Sequence, residues 1–376
     1  MKIAVNTRLL LKNKLDGIGW FTRETLKIIV LEHPEHEFYF LFDRKFDPSF
    51  IFAKNATPII IGPPARHPIL FKIWFNHSIT RALKKIGADI FLSPDGFLSL
   101  KTSIPQIAVI HDLNFEHYPE DLPKPNMKYY KKYFPLFARK ATRIITVSEF
   151  SKKDISSKYA ISLNKIVVAY NGVSNSFSPS DIPTIKSTQL KFSEGRPYFV
   201  YVGALHARKN IERMLLAFNQ FKKNTNSDFK MLIVGEKIWK KTKFESTLKN
   251  LSAKKDILFT GRLISTDLNQ VIGSSSGLVY VSYFEGFGIP IIEAMKCEVP
   301  VITSNVTCMP EIAGNAAILV DPFSVNSISN GMEELLDEEK YEKFVQLGKK
   351  RALHFSWNNT AKIVWDCIED VLNESS

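Results

Sequence analysis

Twice along the 376 residues, short apolar runs rich in β-formers alternate with stretches of helical periodicity, and nothing else in the sequence restricts the fold so strongly. In the first half the strand-like runs fall at 2–6, 37–42, 58–61, 89–93, 106–110, 143–147 and 166–170, with helical patterns between them from Trp20, Leu70, Met127 and Glu149. A second alternation has runs at 198–203, 230–235, 257–260, 277–283 and 299–304. Its cleanest helix follows Lys209, where Ile211, Met214, Leu215 and Phe218 recur at i, i+3, i+4 and i+7 with Asn210 placed as N-cap. Alternation of this kind is the pattern of parallel sheets covered by helices, so the expected class is α/β with two Rossmann-like domains. Between the two series, residues 174 to 195 turn to Ser, Pro, Thr and Asp without periodicity, which predicts a linker. The expected division is a first domain over 1–175, a linker over 176–196 and a second domain over 197–356. Open parallel sheets bind ligands at the carboxyl ends of their strands, so both domains are expected to turn those ends toward a central cleft.

Length and composition agree with this. A chain of 376 residues exceeds what one core usually supports, and 45% hydrophobic with 23% charged residues excludes disorder. The opening MKIAVNTRLLL is too short in apolar residues for a membrane span and has no small-residue cleavage site, so it reads as a first strand in a cytoplasmic protein. Three cysteines, Cys297, Cys308 and Cys367, lack metal-ligand spacing and fit reduced core thiols. The formal charge of +12 is unevenly spread: residues 66–85 carry five Lys/Arg and no acid among Leu70, Phe71, Ile73, Trp74 and Phe75. Residues 124–143 carry seven Lys/Arg and no acid among Tyr129, Tyr130, Tyr133, Phe134 and Phe137. Such stretches suit an anionic membrane surface or a solvated face over a core stripe. Nucleic acid is not expected, since no recognised nucleic-acid module accompanies the charge.

Three loops follow strands at their carboxyl ends. In Asp16-Gly17-Ile18-Gly19-Trp20 two glycines one residue apart can let backbone approach a phosphate, although the third glycine of the dinucleotide fingerprint is missing. In Val202–Asn210, Gly203 ends a strand, and Arg208 and Lys209 stand immediately before a helix, where the macrodipole favours anions. Either both side chains extend into water or something negative compensates them, as a diphosphate would. In the stretch from Tyr283 to Met295, Pro290 opens a helix behind Gly286 and Gly288, a setting for anions, yet Glu285 and Glu293 flank it. Carboxylates accept hydrogen bonds and sugar hydroxyls donate them, so the pair suits a ligand with hydroxyls on both sides of a diphosphate. The plainer reading makes Glu293 a first-turn acid favoured by the helix dipole and Glu285 a surface acid.

The stretch SYFEGFGIPIIEAM resembles the E-x7-E signature of retaining nucleotide-sugar glycosyltransferases with the two-domain GT-B architecture, among them bacterial mannosyl- and glucosyltransferases of surface polysaccharides. Further motifs follow in family order: GIGWFTRE near the start, VIHDL at 109–113, ITVSEFSKKDI at 145–155, VAYNGV at 168–173, YVGALHARKN at 201–210, FTGRL at 259–263 and NVTCMPEIAGNAAILVDP at 305–322. The resemblance implies that Glu285 addresses the transferred sugar, with backbone amides of Gly286, Phe287, Gly288 and Ile289 at sugar and phosphate. It implies that Glu293 holds the ribose hydroxyls, that Arg208 and Lys209 neutralise the departing diphosphate without a metal ion, and that Gly203 and the backbone around Arg262 complete the donor site. Gly17, Ile18 and Gly19 approach phosphate or acceptor in this scheme. His111 contacts the sugar or acceptor, against the structural alternative of a hydrogen-bonded pair with Asp112. A C-terminal helix over 357–376 is implied to pack back on the first domain.

Three departures stand out: Ala204 where a second cation is common, Trp20 where a basic residue often follows the glycines, and Glu298 where glycine is common. The expected activity is transfer of a hexose, of mannose or glucose type, from a GDP- or UDP-sugar to a glycan or lipid-linked glycan, with no cofactor or metal. A peripheral position at the inner face of the cell membrane would use 66–85 and 124–143. The competing readings are a nucleotide-sugar epimerase of the same fold and a non-enzymatic membrane or nucleic-acid scaffold.

Overall fold

The computed structural model describes residues 1–236 and 243–374. The chain divides into two compact units, Met1–Gly172 with Trp357–Ser376, and Val173–Ser356. In the first, β1 (Lys2–Asn6), β2 (Glu37–Phe42), β3 (Ala56–Ile60), β4 (Ile90–Ser93), β5 (Gln106–Val109), β6 (Arg143–Thr146) and β7 (Ile166–Val168) form one parallel sheet ordered β3-β2-β1-β4-β5-β6-β7. In the second, β8 (Tyr198–Val202), β9 (Lys230–Val234), β10 (Ile257–Gly261), β11 (Gly277–Tyr280), β12 (Val301–Ser304) and β13 (Ile318–Val320) form another, ordered β10-β9-β8-β11-β12-β13. Central strands such as Ile3–Val5, Ile107–Val109, Tyr198–Tyr201 and Met231–Ile233 are inaccessible, because helices cover both faces of each sheet.

Strand order fixes where chemistry can sit. In the first unit the chain steps outward from β1 to β3, then returns to the other side of β1 to lay down β4. The second unit repeats this with β8 and β11. At β1/β4 and at β8/β11 the neighbouring connections leave on opposite sides of the sheet, opening a crevice at the carboxyl ends of the strands.

Several expectations need correction. Residues 176–196 are not a bare linker: Ile182–Ser193 is a helix, capped by Asp181 accepting from the Thr184 amide at 2.9 Å, with Pro183 in its first turn. Capping chemistry organises a segment whose apolar periodicity is weak. β13, a three-residue strand at the sheet edge with Leu319 exposed, went unseen, being too short to show alternation. Asn210 occupies the N-cap position of the Ile211–Thr225 helix but has φ +60° and makes no side-chain cap. It does something else, described below.

The helix expected over 357–376 is Trp357–Asn373, with residues 375 and 376 outside the described ones. Its apolar face, Trp357, Val364, Trp365, Ile368 and Val371, packs in the first unit, with Trp357 edge-on to Phe21 and Trp365 stacked on His33. The aromatics of the two basic stretches turn inward together. Phe71, Trp74 and Phe75 share one core cluster with Phe97, Tyr129, Phe134 and Phe137, and the basic side chains face outward. Among the described residues no helix is long and apolar enough to cross a membrane. Cys297, Cys308 and Cys367 are buried free thiols.

Candidate active site

The β8/β11 switch point is built by two loops laced to each other. After β8, Gly203 (φ +150°) donates its amide to the Val234 carbonyl. A Cβ on Gly235, which follows β9, would lie 1.9 Å from the Gly203 carbonyl oxygen, so only glycine permits this approach of backbones. The chain then makes a short turn, Ala207–Lys209, ended by Asn210. The Asn210 amide group donates to the carbonyls of Val281 at 2.9 Å and Pro322 at 2.6 Å, and the Tyr283 amide donates to the Arg208 carbonyl at 3.0 Å. These bonds pin the cation-bearing turn against the loop after β11.

Glu285 sits where the loops meet, 5% exposed. Arg208 Nη1 donates to its Oε2 at 2.6 Å and to the Phe284 carbonyl at 3.1 Å; Lys209 Nζ donates to Oε1 at 2.5 Å; the hydroxyl of Tyr280, the last residue of β11, lies 3.1 Å from Oε1. Burial alone would raise the Glu285 carboxyl, but the charges and hydrogen bonds of Arg208 and Lys209 prevail and bring it down to about 2. The compensation expected for two cations before a helix is thus supplied in the protein by this carboxylate. Glu285 is no surface acid.

From Glu285 the chain passes Gly286 and Phe287, whose ring is buried edge-on against Phe355, to Gly288. Gly288 takes φ +92° as the cap residue of the Ile289–Lys296 helix, with Pro290 in the first turn. Its left-handed conformation suits glycine and turns the chain into the helix. Glu293 lies in the second turn, beyond the stretch where the dipole favours an acid, so the first-turn reading does not hold. Half-buried, with no salt bridge or side-chain hydrogen bond among the described residues, its carboxyl is pushed up by burial to about 8. An acid that pays desolvation with no cation beside it is suited to accept from hydroxyl donors of a ligand. Arg262 stands exposed in the turn after β10, behind Gly261 (φ +71°).

The first unit's residues gather elsewhere, at the carboxyl ends of β1, β4 and β5. Gly17, Ile18 and Gly19 lie within the first turn of the Gly17–Glu32 helix, not in a strand-to-helix turn. The N-cap Asp16 accepts from the Gly19 amide at 2.9 Å, and a Cβ on Gly19 would meet Leu15 at 2.9 Å. Phe21 of that helix packs edge-on against His111. His111 Nε2–H donates to the Pro94 carbonyl at 2.8 Å, while Asp112 accepts from the Asn114 amide, so the two side chains do not pair. Burial lowers the His111 pKa, with the Pro94 carbonyl and Asp112 opposing, so the ring is a neutral imidazole with Nδ1 available as an acceptor.

Beside it lies a network the sequence reading missed. Arg8 donates to Asp95 at 2.6 Å and stacks over Phe97, Phe71 and Phe75, and Asn6 and Ser93 also donate to Asp95. Tyr280 was missed too. Its one signal was a phenol within a buried aliphatic strand, a group that needs a partner for its hydroxyl. The structure therefore joins Gly203, Arg208, Lys209, Glu285 and Gly286–Ile289 at one switch point, with Glu293 one turn further, and places Gly17–Gly19 and His111 together in the other unit. Chemically, the second unit's cluster offers an ionised carboxylate, two cations and a separate carboxyl without counter-charge. Among the described residues no group of three His, Cys, Asp or Glu could hold a metal ion.

Residues 184–351 match the family model described as glycosyl transferases group 1, and residues 30–177 match glycosyltransferase family 4. The O-antigen chain mannosyltransferase B of Escherichia coli is 26% identical over 374 residues, covering 96% of this chain and 97% of that one. The O-antigen chain mannosyltransferase RfbU of Salmonella typhimurium is 27% identical over 61% of this chain and 60% of its own. Among solved structures, sucrose-phosphate synthase of Thermosynechococcus elongatus superposes with a TM-score of 0.81 at 18% identity over 100% of both chains. WaaG, a glycosyltransferase involved in lipopolysaccharide biosynthesis, does so with 0.75 at 14% identity over 97% and 99%.

Proposed function

Since the chain is a GT-B glycosyltransferase of the kind that builds surface polysaccharides, we propose that it transfers a hexose, mannose in the first instance, from a nucleoside diphosphate sugar to a glycan or lipid-linked glycan hydroxyl, with retention and without a metal ion. The observation that carries this is the arrangement at β8/β11: one buried carboxylate held by two cations, and a second carboxyl eight residues on without a counter-charge. The mannosyl assignment leans on the two O-antigen relatives, and a UDP-hexose is the alternative donor.

In the proposed reaction the bond from the anomeric carbon to the diphosphate oxygen breaks with its electron pair leaving on the diphosphate. Arg208 and Lys209 stabilise that charge, a role that fixed cations fill in a pocket shielded from water. The acceptor oxygen bonds to the anomeric carbon on the face the diphosphate leaves, and its proton passes to the departing phosphate oxygen, so no side-chain base is required. Glu285, ionised throughout the neutral range, orients the sugar and faces the positive charge developing at its anomeric carbon. Glu293 accepts from the ribose hydroxyls. Backbone of Gly203, Gly286–Ile289 and the Arg262 turn meets phosphate, sugar and base, while Gly17–Gly19 and the neutral His111 orient the acceptor.

The test is thermal unfolding with UDP, GDP, ADP, CMP and dTDP in EDTA and in magnesium, followed by NMR of the product formed from the selected donor. One nucleoside diphosphate is expected to stabilise the protein in EDTA, by about 2.7 kcal/mol at a hundredfold its Kd. The product is expected to keep the donor's anomeric configuration, and Glu285→Gln to lower turnover about 1,000-fold. No stabilisation by any of the five, or an inverted product, would overturn the reading. The outward basic faces of 66–85 and 124–143, with exposed Ile69 and Ile73 among them, support a peripheral place at the inner membrane face. Salt-sensitive cosedimentation with anionic vesicles is expected, and its absence would remove that part.

A further inference from the structure

Two tyrosines lie side by side in the centre of the second sheet, Tyr201 on β8 and Tyr280 on β11, their rings nearly parallel at 6.2 Å. Both are buried. A phenylalanine would fill either place, and burying a phenol without partners is unfavourable, so each hydroxyl must answer to something. That of Tyr201 donates to the Ala204 carbonyl at 3.2 Å, a bond within its own loop. That of Tyr280 accepts from Lys209 Nζ at 2.5 Å and faces Glu285 Oε1 at 3.1 Å.

We propose that Tyr280 is a positioning residue of the transfer site, its hydroxyl fixing the rotamer of Glu285 and the reach of Lys209 toward the departing diphosphate. The geometry is specific. Lys209 Nζ, Tyr280 Oη and Glu285 Oε1 form a closed triangle, so the hydroxyl spends its lone pair on the ammonium and its proton on the carboxylate. Arg208 holds the other oxygen, Oε2, and the Cys308 thiol bonds the Glu285 main-chain carbonyl at 3.2 Å. Each oxygen thus has its own cation, and Tyr280 is the neutral donor on the oxygen shared with the more flexible side chain. The main chain of Tyr280 is held independently, Thr303 Oγ1 donating to its carbonyl at 2.9 Å, and the ring lies against Gly288, where a Cβ would be 3.4 Å from Tyr280 Cε1. The loop that turns into the Ile289–Lys296 helix therefore closes over the tyrosine that orients its carboxylate.

This rests on the glycosyltransferase reading, and the test separates the two. Tyr280→Phe, Tyr201→Phe and Glu285→Gln are compared with wild type for turnover of the nucleotide sugar that thermal shift selects. Tyr280→Phe keeps the ring and is expected to lower kcat about 10- to 100-fold, the range of one hydrogen bond to a charged group, with donor KM within about twofold. If Tyr280→Phe keeps wild-type kcat while Glu285→Gln is inactive, the positioning role is overturned and the reading of the site stands. Equal losses of kcat in Tyr280→Phe and Tyr201→Phe would mean that burying a phenol matters only for folding, which also overturns it. If Glu285→Gln matches wild type, the reading of the site fails and the inference fails with it.

Discussion

At β1/β4 one guanidinium faces one carboxylate: Arg8 pairs with Asp95, and Asn6, Ser93 and the Phe97 amide complete the carboxylate's shell. At β8/β11 two cations face one carboxylate, and the second carboxyl, Glu293, has neither cation nor hydrogen-bond donor among the described residues. Both clusters sit at the carboxyl ends of parallel strands, and both set a buried carboxylate, Asp95 or Glu285, against a guanidinium. Burial and charge therefore do not by themselves mark a place where a ligand acts. What separates the two is balance: the first cluster closes on itself like a core, whereas the second holds charge and acceptor capacity in amounts that suit a diphosphate and sugar hydroxyls.

The largest expected effect tests the closed side. Arg8→Met leaves Asp95 buried without its cation and removes a guanidinium stacked on three aromatic rings. It should lower unfolding free energy by about 3–5 kcal/mol, measured by urea denaturation, while the affinity of the second unit for its nucleoside diphosphate stays within twofold. A variant that loses nucleotide affinity as well would break the comparison, because Arg8 would then belong to a ligand site and not to a core.

The open side predicts a dependence on pH. The Glu293 carboxyl is raised by burial from its ordinary 4.5 to about 8, so the folded protein holds this proton more tightly than the unfolded chain does. Its contribution to stability is therefore present at low pH and declines as pH rises from about 4.5 to 8. Urea midpoints should fall across this interval in the nucleotide-free protein, and Glu293→Gln should flatten the fall. The same change should weaken nucleoside diphosphate binding about tenfold above pH 8, where Glu293 is a carboxylate and an amide is the poorer acceptor for hydroxyls. A pH profile that Glu293→Gln leaves unaltered would show the carboxyl to be solvated after all.

What could be read from the sequence follows the range of the interactions involved. Buried strands announce themselves by composition, so β1, β2 and β8 fall within a residue of the expected bounds, and the motif order places Glu285, Arg208 and Lys209 in one site. The Ile182–Ser193 helix is set by a cap and a proline instead of a periodic face, and β13 is three residues long; neither produces a pattern. Pairings across the chain are the least legible. Arg8 and Asp95 are 87 residues apart, and Lys209 and Tyr280 71, with no local signal that they meet. Asn210 shows how local rules mislead: it has the right residue type for a cap, yet its amide is taken by Val281 and Pro322.

The smallest effect concerns His111 and has the opposite sign to that of Glu293. Burial lowers its pKa below 6.5, opposed by the Pro94 carbonyl and by Asp112, Asp16 and Asp95. The folded first unit therefore takes up this proton less readily than the unfolded chain, and the resulting stability is lost as pH falls below 6.5 instead of as it rises. Four groups oppose burial at His111, whereas none opposes it at Glu293. His111→Gln preserves an N–H for the Pro94 carbonyl and removes the titration, so urea midpoints between pH 7 and pH 5 should decline less steeply in the variant than in wild type. If both decline alike, the ring is protonated in the folded protein as easily as in the unfolded chain. His111 could not then present a neutral Nδ1 acceptor to a sugar hydroxyl near pH 6, and its proposed part in orienting the acceptor would fall.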